Sequence, residues 1–438
     1  METNRPSQNP IAIRELIQPI GGLFKTILRS KSSRLEPGLS TRLLPLGNIK
    51  EVSGSSLSHS HELSGCGTDI NDGDALFLAA AEGLERYCAC IYEESNFVVA
   101  AANDLGDEAL DLDTIPRCSE AELSHPKCPL VRPRNNAPIR WVRGISLMTG
   151  KTKYLPVVMV YLFAGYASAA ERFWLPITTG CAAHESYASA ILSGILEVVE
   201  RDALTIIWLN RCPLPRIKID EVCPRLEPYW NQYQLSTQDT EYIFFDATTD
   251  LGIPVVYCLR RAENDKELAT IITCSCNLDP SFAVGKVICD IAPLRLALQR
   301  GFSIPTDFSD FTGIFHGAAF MAKSEQQPAF QFLMDSTRHT ALSAMKKLKG
   351  TSPEQELSFV LDLLEARNLE AYAVDLTTDE ALRCGTRVVR VVIPGLQPLS
   401  FHYRARYLGH KRIYEAPSAM GCGTTQEEDL NRWPQPFA

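Results

Sequence analysis

Apolar residues fill most of the helical circumference in two long stretches of this chain, residues 74–94 and residues 186–209. All-round apolarity of that kind predicts buried helices rather than surface ones. Each stretch carries the same polar cluster: Glu82-Gly83-Leu84-Glu85-Arg86 in the first, Glu197-Val198-Val199-Glu200-Arg201 in the second. Positions three and four apart share a helix face, so each cluster presents two carboxylates and a guanidinium side by side. A third long helical pattern spans residues 282–300, with Asp290 and Arg295, and a fourth spans 354–368. β-Branched and aromatic runs predict strands over residues 154–162, 242–246, 254–260, 269–275, 371–376 and 388–393. Long helices alternating with clustered strands make the class mixed α/β.

Around these elements the chain divides unevenly. Residues 1–59 are rich in proline, serine and arginine, with one short helical pattern over 11–28, and read as an arm laid on the core domain, residues 60–438. Glycine-containing turns, at Gly65 to Asp69 and at Thr178 to His184, feed the two cluster helices. Residues 102–140 hold an acidic run and then Pro126, Pro129, Pro133 and Pro138 among Arg132, Arg134 and Arg140. They read as one long loop, of the length that is often functional or mobile. Apart from the two cluster helices the chain shows no internal repeat.

Composition narrows the chemistry. A formal net charge of −9 offers no basic footprint, which excludes polynucleotide binding as the expected role. No run approaches the roughly 18 apolar residues that span a bilayer, and Met1 to Pro6 lacks the apolar core of a signal peptide. The expected location is cytoplasmic. The 14 cysteines are irregularly spaced with no CxxC pair. Cys88 and Cys90 point to different helix faces; Cys274 and Cys276 share a strand face, but no second pair completes a zinc tetrad. They read as reduced thiols. His59 and His61, in a serine-rich loop, read as solvated.

Carboxylates on buried helices must be paired, metal-bound or functional. If the two cluster faces meet, one cleft holds four carboxylates and two arginines. Oxygen ligands for Mg²⁺ beside guanidinium groups suit a nucleoside triphosphate. Intrahelical ion pairs are the plainer alternative for either cluster alone. No GxxxxGK[ST] run is present, so the ordinary P-loop solution is excluded.

Five motifs in order resemble the YcaO family of ATP-dependent enzymes that activate amide backbones, over about residue 60 to the end. Leu78 to Arg86 resembles its SxxxExxER helix, and Thr179 to Ala203 its second turn and helix. Leu278 to Arg295 resembles its third, proline-led helix. Val391 to Leu396, and the terminal Asn431 to Ala438, resemble the azoline-forming branch, whose stand-alone members end in PxPxP. The sequence also departs from the pattern. Leu78 stands in place of serine, and Cys66 and Thr68 lie where many relatives carry lysine. Asp290 stands in place of glutamate, Pro293 (a helix-kinking residue) in place of glutamine, and Ala438 in place of the last proline. Ser189 lies where some relatives are acidic.

The resemblance implies a YcaO-type fold, long helices packed on mixed or antiparallel sheets, with ATP and Mg²⁺ as cofactors. It implies a cyclodehydratase that turns Cys, Ser or Thr of a ribosomally made precursor peptide, of the bacteriocin kind, into thiazoline or oxazoline by phosphorylating the backbone amide oxygen. Thioamide or macroamidine formation, and a non-catalytic scaffold, stay open beside it. Glu82, Glu85, Glu197 and Glu200 are the implied metal ligands. Arg86, Arg201, Asp290 and Arg295 complete the nucleotide site, and Pro434, Pro436 and Ala438 reach the reacting amide. The implied partners are the precursor peptide and a leader-binding protein, E1-like or carrying a recognition element, which docks on residues 102–140 or on the arm. A homodimer is left open, and neither nucleic acid nor membrane is expected.

Overall fold

A computed structural model describes residues 13–30, 38–47, 63–236, 240–423 and 425–438; the 53–58 serine stretch, His59 and His61 lie outside the described residues. Among the described residues the strands, in chain order, begin with β1 (Leu28–Ser30), β2 (Ser40–Pro45), β3 (Ser64–Asp69), β4 (Val98–Ala100), β5 (Ile139–Ser146), β6 (Thr152–Pro156) and β7 (Cys181–His184). They continue with β8 (Arg216–Lys218), β9 (Thr240–Asp246), β10 (Val255–Ala262), β11 (Thr270–Cys276), β12 (His339–Ala341), β13 (Tyr372–Asp375) and β14 (Arg387–Val392). Among the described residues the helices of eight residues or more are α1 (Asp72–Cys88), α2 (Tyr187–Asn210), α3 (Glu227–Ser236), α4 (Pro280–Gln299), α5 (Ile314–Met321), α6 (Pro353–Glu365) and α7 (Arg412–Ala419).

Three sheets result. β1-β2-β3 is small and antiparallel; β11-β10-β9-β8-β12 is antiparallel except for the parallel β8–β12 pair; β4-β5-β13-β14-β7, with β6 added on β5, is antiparallel throughout. The third sheet is buried on both faces. Along β14, Val388 and Val392 enter one hydrophobic core, while Val389 and Val391 enter the other. That is the period-two alternation of a strand read directly in packing. The first core takes Ala79, Ala80 and Leu84 of α1; the second takes Ile195, Val199 and Ala203 of α2. Both helices touch β7, the edge strand, where the two faces of the sheet meet.

Local chemistry sets the ends of these helices. Asn71 caps α1 by accepting from Gly73 and Asp74 N–H, Ser186 caps α2, and Asp279 caps α4 with Pro280 in its first turn. Each cap satisfies donors that the helix start leaves open. Glycine permits close backbone approach at two places, Gly65 against helix α1 and Gly180 against strand β14. A Cβ on Gly65 would fall 1.9 Å from Ala79 O, and one on Gly180 would fall 2.3 Å from Val391 O; Gly180 also has φ +87°. No other residue fits either position.

The other predicted helices and the predicted later strands appear within a few residues of their expected bounds, but α1 ends at Cys88 rather than near 94, and β12 was not expected. Other expectations change. The arm pattern over 11–28 is, from Ile13 on, a turn and an isolated Ile17–Phe24 bridge leading to β1. The segment expected as a strand over 154–162 is β6 followed by a helical turn, Val157–Val160. The Gly65–Asp69 turn lies in β3, a strand. Residues 102–140 are no loose loop: Leu110, Leu112, Ile115 and Leu130 are buried in the first core and the segment ends inside β5. α4 runs through Pro293 to Gln299. The described cysteines are all free, with Cys88, Cys90, Cys274 and Cys276 buried. No helix among the described residues is long and apolar enough to cross a membrane.

Candidate functional site

The two clusters face one another around the β7 edge. Each leading glutamate is held by a backbone N–H from the segment just before its own helix: Cys66 N–H donates to Glu82 Oε2, and Gly180 N–H donates to Glu197 Oε2 at 2.9 Å. Those grips depend on the close approach that Gly65 and Gly180 allow. Each arginine then binds the other oxygen of its glutamate, Arg86 to Glu82 at 2.7 Å and Arg201 to Glu197 at 3.4 Å. Arg86 also donates to Ser64 O at 2.5 Å. The same strand-to-helix unit is therefore built twice.

The second glutamates complete the enclosure. Burial, then the charges of Glu197 and Glu82, hold the Glu85 carboxyl well above the usual carboxylate range. That coupling places carboxylates of both helices within electrostatic reach of one another. Glu200 Oε2 accepts from Cys276 N–H on β11 at 3.1 Å, and Glu200 lies 3.9 Å from Arg201. Burial pushes its carboxyl up to about 7, against Arg201 and with the charges of Glu197 and Asp290 adding to the rise. Burial works against the Arg201 charge, but Glu200 and Glu197 outweigh it and raise its pKa.

α4 touches β3 and supplies the third wall. Asp290 pairs with Lys286 one turn earlier. Burial opposes the Lys286 ammonium, yet Asp290 holds it above its ordinary value, with Glu200 adding to the effect. The Lys286 side chain as a whole is 61 % exposed, with its ammonium on Asp290, whereas those of Arg86 and Arg201 are 27 % and 19 % exposed. The sequence reading missed it; its position four residues before Asp290 on one helix face was the available signal. Cys66 also faces this group, its thiol pushed up to about 12 by burial and by Glu82. Arg295 is 2 % exposed and engaged within the protein. Leu78, at the motif serine position, is 42 % exposed, and Ser189 is buried at the start of α2 with its N–H on Ser186 Oγ.

The C-terminal tail enters from the far end of α2. Asn431 N–H donates to Leu209 O at 2.7 Å, Asn431 Nδ2 to Trp208 O at 3.0 Å, and Trp208 Nε1 to Trp433 O at 3.3 Å. The chain then runs back along the helix. Pro434 and Pro436 are buried, and Phe437 belongs to the second core, with the Arg201 guanidinium 4.5 Å from its ring centroid. Ala438 packs by Leu298, Ala318 and Ala322. Gly317 of α5 makes room: a Cβ there would fall 2.2 Å from Gln435 O.

A divalent cation fits this donor set in one particular way. Among the described residues no three His, Cys, Asp or Glu side chains converge on one metal-sized point. Mg²⁺ is ordinarily bound by one or two carboxylates plus phosphate oxygens rather than by an all-protein cage. Paired carboxylates on two helices, with the Arg86 Nε buried and without a partner, match that division of ligands.

Solved structures share the fold. A heterocyclase in complex with substrate and cofactor superimposes with TM-score 0.81 at 20% identity over 100% of this chain, which spans 58% of that heterocyclase's length. YcaO from Methanopyrus kandleri bound with AMPPCP and Mg²⁺ gives TM-score 0.63 at 19% identity, covering 89% of this chain and 88% of that one. A chain of the E. coli microcin synthetase McbBCD complex gives 0.63 at 15%, covering 96% and 99%. The model of the YcaO family, described as cyclodehydratases that bind ATP and Mg²⁺, matches residues 66–397, and the chain belongs to that family, with ATP and Mg²⁺ as its cofactors.

Proposed function

We propose that this chain is an ATP-dependent cyclodehydratase that closes Cys, Ser or Thr of a ribosomally made precursor peptide onto the preceding backbone carbonyl, giving thiazoline or oxazoline. The observation that supports this most is the docked tail: Phe437 lies on Arg201, so the last residues of the chain lie beside the carboxylates. Bound ATP supplies the phosphoryl group that turns an amide oxygen into a good leaving group. The protein's own task is alignment and charge neutralisation.

In this reading Glu82, Glu85, Glu197 and Glu200 share Mg²⁺ ions, each ion taking one or two of these carboxylates and completing its shell with phosphate oxygens, and Asp290 lies beside the set. Lys286 and Arg86 face phosphate oxygens. Arg201 orients Glu197 and Glu200 while supporting the tail, and Arg295, being buried, orients α4. Pro434 and Pro436 stiffen the tail backbone so that the Ala438 end is held against the reacting amide. The precursor's leader is taken by a partner protein, a reading supported by the synthetase complex in which a similar fold is found.

Purified protein with ATP, Mg²⁺, precursor peptide and partner tests the proposal. The expected result is peptide-dependent ATP hydrolysis with loss of one water mass per ring. Sulfide- or amine-dependent turnover would replace it with thioamide or macroamidine formation, and no turnover with any nucleophile would leave a scaffold.

A further inference from the structure

Cys212 and Cys422 bring two thiols together where the C-terminal tail begins. Cys212 lies just beyond α2, fully buried in the second core, with its N–H on Ile207 O at 3.1 Å. Cys422 packs against that same core from the turn that follows α7, half-buried, with its N–H on Pro417 O at 2.8 Å. The Asn210 side chain joins α2 to α7, donating to Ile413 O at 3.1 Å. The Cys212 S–H donates to the Cys422 sulfur, and the Cys422 S–H turns to Met420 O at 3.8 Å. Gly421 and Gly423, on either side of Cys422, have φ +73° and +84° with open space around them, so the turn has room to adjust.

The surroundings divide the roles of the two sulfurs. Arg338, whose guanidinium donates to Pro213 O, places a positive charge near both. The hydrogen bond from Cys212, helped by Arg338 against burial, holds the Cys422 thiol below its ordinary value. The same bond, with burial, pushes Cys212 up. Cys66, Cys258, Cys274 and Cys384 are pushed up by burial instead. The thiolate is the reactive form, so Cys422 is the nucleophile and Cys212 the thiol that resolves it. We propose that Cys422 and Cys212 form a reversible disulfide, made by a peroxide, that ties the root of the tail to the end of α2. The Cys422 thiolate attacks a peroxide oxygen and the O–O bond breaks. The hydroxide released takes up the thiol proton as water, leaving a sulfenic acid on Cys422. The Cys212 sulfur then displaces that hydroxyl, forming the S–S bond, and its proton leaves with the hydroxyl as a second water. A dithiol reverses the step by exchange. Farther along the tail, Asn431 binds Leu209 O and Trp208 O, so the link leaves the segment between Cys422 and Asn431 held on α2 at both ends. A cross-link there removes open conformations of the tail.

The test uses the full chain, reduced and then exposed to hydrogen peroxide, with remaining thiols blocked by N-ethylmaleimide and the digested peptides read by mass spectrometry. A Cys212–Cys422 linked peptide is expected to form about 10-fold faster than any other cysteine pair. In Cys212→Ala, Cys422 is expected to be trapped by dimedone as its sulfenic acid. Amide hydrogen exchange over residues 425–433 of the wild-type chain is expected to slow about 10-fold on oxidation and to recover with dithiothreitol. In Cys422→Ser the oxidant should leave that exchange unchanged. A different pair linking first, no dimedone adduct in Cys212→Ala, or wild-type tail exchange that oxidation does not slow overturns the proposal. None of these readouts requires turnover, so they stand apart from the reaction proposed above.

Discussion

The Arg201 guanidinium lies 4.5 Å from the centre of the Phe437 ring, so one side chain contacts both the carboxylates of α2 and the end of the chain. Arg201 is the side chain that the tail and these carboxylates share.

Gly317→Ala is expected to separate the two. The added methyl would collide with Gln435 O, pushing the tail off α5 without altering any residue of the cleft. Cyclisation should fall by about 10-fold or more, as positional losses near a reacting group commonly do. Deleting Pro434 to Ala438 should do the same, and ATP affinity should change little in both. An unchanged cyclisation rate in the two variants would make the tail a packing element only.

Glu85→Gln or Glu200→Gln should abolish ATP turnover while leaving the fold intact. Both positions hold carboxyls that burial keeps at a disadvantage, which a purely structural role does not require. Turnover at saturating ATP, beside far-UV circular dichroism, checks this; near-normal rates would remove these residues from the metal site.

The same glutamates should weaken the nucleotide-free fold in a pH-dependent way. The Glu200 carboxyl has a folded pKa of about 7, raised by burial above its ordinary value. A raised carboxyl binds its proton more tightly when folded, so stability is greatest below the unfolded pKa and falls as pH rises toward 7. Glu200→Gln should therefore raise Tm at pH 8, by the equivalent of about 3 kcal/mol, and change it far less at pH 5. Calorimetry without nucleotide at the two pH values gives the answer, and equal shifts at both would refute the linkage.

Leader capture should need a second protein. Multiple-turnover dehydration of a full-length precursor by this chain with ATP and Mg²⁺ alone would contradict that expectation. Residues 102–140 are less suited to docking than their composition implies, since Leu110, Leu112, Ile115 and Leu130 are occupied in the core.

Much of this was legible from periodicity. The cluster helices, α4 and the strands β9, β10, β11, β13 and β14 follow patterns with strong local signals, whereas the three-residue β12 does not; Glu82, Glu85, Glu197 and Glu200 stood out because they interrupt apolar faces. What escaped depends on distant partners. The run Ser64–Asp69 is glycine-rich and reads as a turn, yet α1 needs those glycines to take a strand at contact distance. Lys286 gains its meaning from Asp290 and Glu200, the latter on another helix. The 102–140 segment looks irregular because its apolar residues are spaced for no single element, although each reaches the same core.

α1 belongs to one hydrophobic core and α2 to the other, and β14 separates them. In the absence of ligand, these helices are free to open at different free energies, each set by its own packing. A nucleotide–metal complex bound to both would fasten the two cores together, and binding energy would then enter the opening of either one. Amide hydrogen exchange would register this as two distinct protection levels for α1 and α2 that merge when Mg·ATP is added, making the ligand a cohesive member of the fold as well as a reactant.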